Sequence, residues 1–266
     1  LPERHPTAGA PLTFVRLLTH TAGLTVSGFP AYAAGAPLPT VVQILDGSGP
    51  ANSDPVRIDI QPGSRWRYSG GGLTLVQLLM TDVTGEPFPD LLDRLVLRPL
   101  GMTRSFYRQP LPAERAGEIA VAHAGDGTPL PGRFHVYPEL AAAGLWTTPS
   151  DLARWTIALS AAFQGETGGV LRPETAAAML TAGTGDWGLG VGVSGEGEWL
   201  RFSHSGSNEG YRATLIAFPR RGEAVIVMTN GENGGALLGP VSRAIGRTLG
   251  WPNSEPTIIV PAGVSS

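Results

Sequence analysis

The stretch RFSHSGSNEGYRATLIAFPRRGEAVIVMTN, residues 201–230, decides the fold. It holds three apolar runs of strand length, separated by short segments of turn-forming residues. The last run contains the continuous apolar block Val225–Met228, which is typical of a strand covered on both faces. The three runs therefore predict an antiparallel meander. A polar step, His204-Ser205-Gly206, lies at one edge of it, where the glycine lets a ligand or another backbone approach closely.

The composition around this stretch indicates a globular protein with a sizeable core. The chain has 266 residues, of which 42% are hydrophobic and 15% charged, with a formal net charge of −3. This balance, without a basic patch, gives no sign of a nucleic-acid partner, and no apolar run is long enough to span a membrane. There are no cysteines, which excludes disulfides and a thiol nucleophile.

Lysine is also absent, because all 19 basic residues are arginine. The 266 residues therefore cannot supply a Walker lysine, a Schiff-base lysine or a Ser-x-x-Lys pair. Three glycines precede the helix predicted over 73–83, but with no lysine and no apolar strand before them a phosphate site is not expected. The chain starts at Leu1 rather than Met, so we expect the natural N-terminus to lie upstream.

Helical periodicity and loops dominate up to about residue 183, and strand patterns dominate after it. We therefore expect a mainly helical, loop-rich lobe over 1–183. The region 184–266 is expected to form an antiparallel sheet with a C-terminal helix. This segregation predicts an α/β fold of the α+β type, with a site between the lobe and the sheet.

Several short segments, in order along the chain, resemble landmarks of one family. They are LLTHTAGL at 17–24, Tyr68-Ser69-Gly70, VTG at 83–85, RPLGM at 98–102, the stretch 144–152 and His204-Ser205-Gly206. Together they resemble the class C-type β-lactamase and penicillin-binding-protein family of serine hydrolases, which includes esterases and D-aminopeptidases. The resemblance implies a β-lactamase/transpeptidase-like fold, with an antiparallel sheet flanked by helices plus a helical lobe.

The resemblance also implies acyl-enzyme chemistry without a cofactor. In that family a Ser-x-x-Lys on a helix supplies the nucleophile and its lysine, a few dozen residues before the segment that resembles LLTHTAGL. We therefore expect the nucleophile helix and the N-terminal strands to lie outside this chain. The expected partner is a segment carrying Ser-x-x-Lys, from the same gene product or from a second chain, and the 266 residues alone are expected to be inactive.

Two residues are the candidate catalytic groups. Tyr68 matches the tyrosine of the family's Tyr-x-Asn motif, which exchanges a proton with the nucleophile and the leaving group. A free tyrosine has a pKa of about 10, so it needs a nearby positive charge to act as a base. His204 stands where the family has the lysine of Lys-Thr-Gly, or a histidine in the variant form, and would assist proton transfer and carboxylate binding.

The same motifs supply the candidate substrate-binding residues. Ser205 and Gly206 complete the His-Ser-Gly triad, and Ser207 stands where the family's strand offers a backbone N–H to the oxyanion hole. Asn208 is a candidate polar contact, as is Glu209. Gly70 departs from the pattern, because the family commonly has asparagine there, and a glycine cannot contact the substrate amide. That departure argues against β-lactam hydrolysis.

The remaining histidines and aromatic residues have plainer interpretations. His20 is interpreted as a hydrogen bonder that stabilises its loop, and His123 and His135 have no companions at metal-ligand spacing, so no metal site is predicted. His135, Tyr137 and Trp146 either line the cleft or pack in the ordinary way.

The sequence thus predicts a serine hydrolase acting on a small ester, a D-amino-acid peptide or a β-lactam. The alternative is a non-catalytic protein of the same fold that binds a ligand in the cleft. The compartment is not determined, although the resemblance suggests a periplasmic or secreted protein. We also expect Ala224–Thr229 to be a sheet edge that a further segment would cover, since unpaired strand edges invite association.

Overall fold

The computed structural model describes residues 9–255. The helices are α1 Phe14–Leu18, α2 Val41–Asp46, α3 Gly70–Thr84, α4 Phe88–Leu92, α5 Leu140–Ala143, α6 Pro149–Phe163, α7 Pro173–Met179 and α8 Gly235–Thr248. The strands are β1 Gly192–Ser194, β2 Arg201–Asn208, β3 Tyr211–Phe218 and β4 Glu223–Thr229. A π-helical turn, Asp93–Leu97, extends α4, and three short 3-10 helices lie at Ala113–Glu118, Gly197–Trp199 and Glu232–Gly234.

The four strands form one antiparallel sheet in the order β1-β2-β3-β4. In the register of β2 and β3, His204 pairs with Leu215 and Asn208 with Tyr211, so a tight turn at Glu209-Gly210 joins the two strands. Gly210 has φ 71°, a conformation that glycine adopts without strain. The antiparallel meander predicted from residues 201–230 is therefore confirmed.

The sheet is covered on both faces, as the apolar block in β4 predicted. On one face, residues of α6 and α7 pack with alternate residues of the strands, including Phe202, Leu215 and Ile226. On the other face, Phe218 and Val225 pack against Trp251, which follows α8. Because side chains alternate along a strand, neighbouring residues of β3 and β4 belong to different cores.

A third core lies in the helical part of the chain, between α1, α3 and the loop that precedes α3. It contains Leu17, Leu24, Val56 and Val76, all buried. The helix predicted over 73–83 in fact begins at Gly70, so the three glycines form its first turn. A Cβ on Gly71 would lie 2.8 Å from a methyl group of Val56, so glycine permits the close approach of helix and loop.

The apolar patterns over 187–193 and 198–202 predict two strands that lead into the meander, and the structure differs from both. The run 187–193 contributes only β1, which begins at Gly192, and residues 197–199 form a 3-10 turn before β2. The prediction over 187–193 was wrong in its first half because Gly188 packs tightly against the backbone of Met179, where a Cβ would lie 2.0 Å from the carbonyl oxygen. This contact fixes a bend that leaves Trp187 beside the sheet.

One side of the sheet carries apolar surface. Within residues 9–255, β4 pairs with β3 alone, so its other edge has no strand beside it. On α8, Leu237, Val241 and Ile245 recur every fourth residue and are 57%, 38% and 38% exposed. This spacing places the three side chains on one stripe of the helix. No helix among the described residues is both long and apolar enough to cross a membrane.

Candidate active site

Tyr68 lies where the helical part of the chain turns into α3. The next residue, Ser69, caps the helix: its Oγ accepts the N–H of Gly72 at 3.0 Å and donates to the carbonyl of Thr25 at 2.7 Å. The N–H groups of Gly70 and Gly71 donate to the carbonyls of Ser27 and Val26 at 3.1 and 3.0 Å. The start of α3 is thus anchored to the loop 25–27, and its first N–H groups are used within the protein rather than offered to an anion.

His204 approaches the same place from the sheet. It lies in the middle of β2, just after the three residues that pair with β1, so β2 has β3 on one side only from His204 onward. The side chain is part-buried. A regular strand therefore fixes the position of His204, while a loop and a helix cap fix that of Tyr68.

The two candidate catalytic rings meet between the lobe and the sheet. The ring centroids of Tyr68 and His204 are 6.4 Å apart. Trp187 lies beside both, 5.8 Å from Tyr68 and 5.6 Å from His204. The ring of His20 is 4.2 Å from that of Tyr68, and Trp66 contacts both His20 and Trp187 at 6.3 and 5.9 Å. The chain thus brings five rings from four separate segments into one cluster.

This cluster is electrically neutral at pH 7. Burial raises the pKa of Tyr68 above its ordinary value. Burial lowers the pKa of His204, against a weaker opposing effect of a backbone hydrogen bond at Ser205. Burial, and then the charge of His204, lowers the pKa of His20 to about 4. Both imidazoles therefore stay uncharged and the phenol stays protonated, because desolvation disfavours every charged form.

The residues after His204 lie along the open edge of β2. Ser205, Gly206 and Ser207 are all exposed and pair with β3 on their other side. In an antiparallel strand alternate backbone groups point to opposite edges, so this segment presents backbone polar groups to the cleft side. Its place beside the ring cluster fits the predicted binding role, which stays a prediction.

Asn208 and Gly70 are engaged within the protein. The Asn208 amide donates to the carbonyl of Ala143 at 2.9 Å and so ties the end of β2 to α5. The N–H of Glu209 donates to the hydroxyl of Tyr137 at 2.8 Å. A Cβ on Gly70 would lie 3.0 Å from the carbonyl oxygen of Ser27 and 3.3 Å from the ring of Phe29. This close packing explains why the chain carries glycine where the family commonly has asparagine.

The other aromatic and histidine candidates pack elsewhere. Trp146 pairs with Phe106 in an isolated bridge and lies edge-on to Tyr211 at 6.0 Å. His123 Nδ1 lies 3.0 Å from the carbonyl oxygen of Asn230. Among residues 9–255 no group of three or more His, Cys, Asp or Glu side chains is placed to hold a metal ion.

Sequence reasoning missed three residues at or near the site. Trp187 stands among five glycines between 183 and 192. A large aromatic residue in such a glycine-rich stretch could have been predicted to line a site. Trp66 precedes Tyr68 by two residues and thus shares its side of an extended segment. Glu139 gave no signal: it is fully buried beside Tyr137, and within the described residues its two carboxylate oxygens have no hydrogen-bond partner. Burial raises its pKa to about 7.

Comparisons with known proteins agree with this fold. A family model described as Beta-lactamase matches residues 1–247. The chain is 29% identical over 150 residues to the D-alanyl-D-alanine-carboxypeptidase/endopeptidase AmpH of Escherichia coli K12, covering 55% of this chain and 36% of that protein. It is 22% identical over 249 residues to the putative penicillin-binding protein PbpX of Bacillus subtilis 168, covering 91% of this chain and 56% of that protein. The chain thus spans between about a third and just over half of these relatives.

Solved structures show the same fold. A penicillin-binding protein homologue from Pyrococcus abyssi, described as octameric, superposes with a TM-score of 0.66 at 22% identity, over 91% of this chain and 57% of that one. The D-amino acid amidase of Ochrobactrum anthropi SV3 superposes with a TM-score of 0.68 at 22% identity, over 94% and 72% of the two chains. The family match covers nearly the whole chain, so the chain belongs to the beta-lactamase family of serine hydrolases, with its β-lactamase/transpeptidase-like fold.

Proposed function

We propose that this chain forms the larger part of a serine hydrolase that works through an acyl-enzyme, with Tyr68 and His204 in its proton-transfer machinery. The observation that carries the proposal is the meeting of these two rings, 6.4 Å apart, from segments 136 residues apart in the sequence. Tyr68 would accept the nucleophile's proton and return it to the leaving group, and His204 would assist from β2.

The neutral cluster supports a second part of the proposal, namely that a positively charged group from outside these residues must lie beside Tyr68. A phenol with a raised pKa is a poor base, and neither histidine nearby carries charge at pH 7. The 266 residues contain no lysine. We infer that a segment outside these residues brings the serine nucleophile together with a lysine, whose charge would lower the pKa of Tyr68. That segment belongs to the same gene product or to a second chain.

The apolar surface beside the sheet supports the docking of such a segment. The unpaired edge of β4 and the stripe Leu237, Val241 and Ile245 lie on elements that contact each other. A strand added to β4 would satisfy its backbone groups, and an apolar helix face laid on α8 would cover the stripe. The segment would thereby complete the fold as well as the site.

The relatives favour one substrate class. AmpH is described as a D-alanyl-D-alanine-carboxypeptidase/endopeptidase, and the Ochrobactrum anthropi enzyme as a D-amino acid amidase. We therefore propose a D-amino-acid amide or peptide as the substrate class, ahead of a small ester or a β-lactam. Gly70 supports only the exclusion of a β-lactam, because it removes the amide side chain commonly found at that position.

Labelling with a fluorophosphonate probe tests the proposal. The complete protein should label at one serine, and Tyr68→Phe should slow turnover of a D-amino-acid amide by about 100-fold or more. The chain of 266 residues alone should not label. Unchanged turnover in Tyr68→Phe would remove Tyr68 from the mechanism.

The rival function is a non-catalytic protein that binds a ligand in the same cleft. The neutral, ring-lined site favours it, since aromatic faces suit ligand binding without any proton transfer. A complete protein without a Ser-x-x-Lys, or one that binds a D-amino-acid amide without hydrolysing it, would establish the rival and overturn the hydrolase proposal.

A further inference from the structure

His20 holds the backbone on both sides of Tyr68. Its carbonyl oxygen accepts the N–H of Arg67 at 2.8 Å, and its Nδ1 accepts the N–H of Ser69 at 3.2 Å. The two residues that flank Tyr68 therefore donate to a single residue from a different part of the chain. A single hydrogen bond from His20 would be enough to stabilise its loop. Two acceptors, one for each neighbour of Tyr68, also fix the direction in which the Tyr68 side chain leaves the backbone.

The imidazole also lies against the phenol ring itself. The two centroids are 4.2 Å apart with an interplanar angle of 39°, and Trp187 closes the other side of His20 at 5.1 Å. The residue is only 3% exposed. One face of the Tyr68 ring is thus packed against His20, so rotation of that ring toward the loop is blocked.

The backbone of His20 is in a conformation that most residues avoid. Its φ is +55°, in the left-handed region, which costs a non-glycine residue about 1–2 kcal/mol. Strain of this kind persists where the surroundings enforce it and often accompanies a functional site. Here the left-handed turn directs both the carbonyl and the ring of His20 toward residues 67–69.

The protonation state suits an acceptor. Burial keeps the imidazole neutral at pH 7, because it lowers the pKa of His20 to about 4. A neutral ring whose Nδ1 accepts a hydrogen bond carries its proton on Nε2. The hydrogen bond to Ser69 is therefore present throughout the neutral range.

We propose that His20 is a positioning residue, which holds Tyr68 in the orientation for proton transfer through the two hydrogen bonds to its neighbours and the contact with its ring. This inference rests on the proposed role of Tyr68, but its structural part can be tested without activity. It goes beyond stabilisation of the loop 19–24, because it predicts an effect at the Tyr68 phenol.

Two substitutions compare the loss and the retention of a side-chain acceptor at residue 20 when the ring is absent. His20→Gly relieves the left-handed conformation and removes the side-chain acceptor. His20→Asn tolerates the same conformation and keeps a side-chain oxygen at nearly the position of Nδ1. Both lose the ring, so their difference reports the hydrogen bond to Ser69 together with the backbone constraint at residue 20, and excludes the ring contact. His123→Ala serves as the control, because His123 lies outside the cluster.

The first readout is NMR of the complete protein with ¹³Cζ-labelled tyrosine. The chain has five tyrosines, and Tyr68→Phe assigns the signal of interest. In His20→Gly the pKa of Tyr68 should fall toward its ordinary value of 10.0, because the ring reaches water. In His20→Asn the pKa of Tyr68 should fall less than in His20→Gly, because the ring contact is lost but the hydrogen bond to Ser69 is kept, and in His123→Ala it should not change. Where His20→Gly does not fold, His20→Ala takes its place, because it also removes the side-chain acceptor: a Tyr68 pKa lower than in His20→Asn supports the proposal, and a Tyr68 pKa equal to that in His20→Asn overturns it.

The second readout is the rate of fluorophosphonate labelling. Misplacement of Tyr68 should slow His20→Gly by about 10- to 100-fold, with His20→Asn within about threefold of the unchanged protein. A folded His20→Gly with unchanged Tyr68 titration and unchanged labelling would overturn the inference. If the unchanged protein does not label, the hydrolase proposal fails, while a shifted Tyr68 titration in His20→Gly still supports the structural part of the inference.

Discussion

The two sides of the candidate site are built in different ways. The His204 side is a regular strand, paired with β3 along its whole length and backed by the fully buried Phe202. The Tyr68 side is a loop and a helix start, positioned by side-chain caps, close glycine contacts and the hydrogen bonds to His20. The first side depends on a large apolar core, and the second on a few specific contacts. Damage to the first should therefore cost stability, and damage to the second should cost orientation.

The largest effect is expected from Phe202→Ala. Phe202 is 0% exposed and packs edge-on to Trp155 at 6.1 Å, so truncation leaves a cavity under β2. The free energy of unfolding should fall by roughly 3–5 kcal/mol, measured by urea denaturation. Phe202→Leu, as the matched control, should cost much less. If the free energy of unfolding of Phe202→Ala falls by less than about 1 kcal/mol, the strand that carries His204 does not depend on this apolar core.

The next effect concerns Glu139→Gln and depends on pH. Burial raises the pKa of native Glu139 to about 7 from 4.5, so unfolding releases a proton and stability falls as pH rises from 4.5 to 7. Glutamine cannot ionise, so the variant should be more stable than the unchanged protein by roughly 2–3 kcal/mol at pH 8 and nearly equal at pH 4. Thermal unfolding at both pH values measures this, with the surface variant Glu166→Gln as control. An equal difference at both pH values would mean that the pKa of Glu139 is not raised in the native state.

Gly71→Ala tests the close contact on the Tyr68 side. A Cβ there would lie 2.8 Å from Val56 and 3.2 Å from the carbonyl oxygen of Thr25, so the helix start must move. Overpacking of this kind costs roughly 1–3 kcal/mol, and the Tyr68 ¹³Cζ signal should shift with it. Gly117→Ala has open space around the new methyl group and should change neither quantity.

The smallest effects on stability are expected from two helix N-caps. They also give the clearest contrast between a residue that adjoins Tyr68 and one that does not. Ser69→Ala and Thr148→Ala each remove an N-cap, of α3 and α6, and each should cost about 1 kcal/mol. Only Ser69→Ala should shift the Tyr68 ¹³Cζ signal, since only Ser69 adjoins the site. Equal shifts in both variants would show that general loosening, rather than local orientation, controls the phenol.

The same contrast explains how much of the molecule could be predicted from its sequence. The meander could be predicted because alternation and turn residues act locally, and α6 because Thr148 and the apolar spacing mark its start and course. The start of α3 could not, because glycine disfavours helices in isolation and only the contact with Val56 selects it here.

Only those site residues that belong to a sequence motif could be predicted. Tyr68 and His204 were named in advance, and the structure brings their rings together, while their chemical roles stay predictions. The effect of His20 on Tyr68 depends on a hydrogen bond between residues 49 apart, and Trp187 reaches the cluster through a bend set by Gly188. Such long-range contacts leave no periodic trace in a sequence.

The direction of α3 has a consequence for any charged molecule that enters the cleft. This helix of 15 residues begins two residues after Tyr68, so the positive end of its dipole lies near the ring cluster, although its first N–H groups are already bonded to Ser27, Val26 and Ser69. Aligned peptide groups place about half an elementary positive charge at such an end, and no change of pH removes it. Because the N–H groups of this end cannot bond an anion directly, the dipole acts on the neutral ring cluster only through its field. Its effect on an anionic ligand should therefore be weak and should fall as the salt concentration rises.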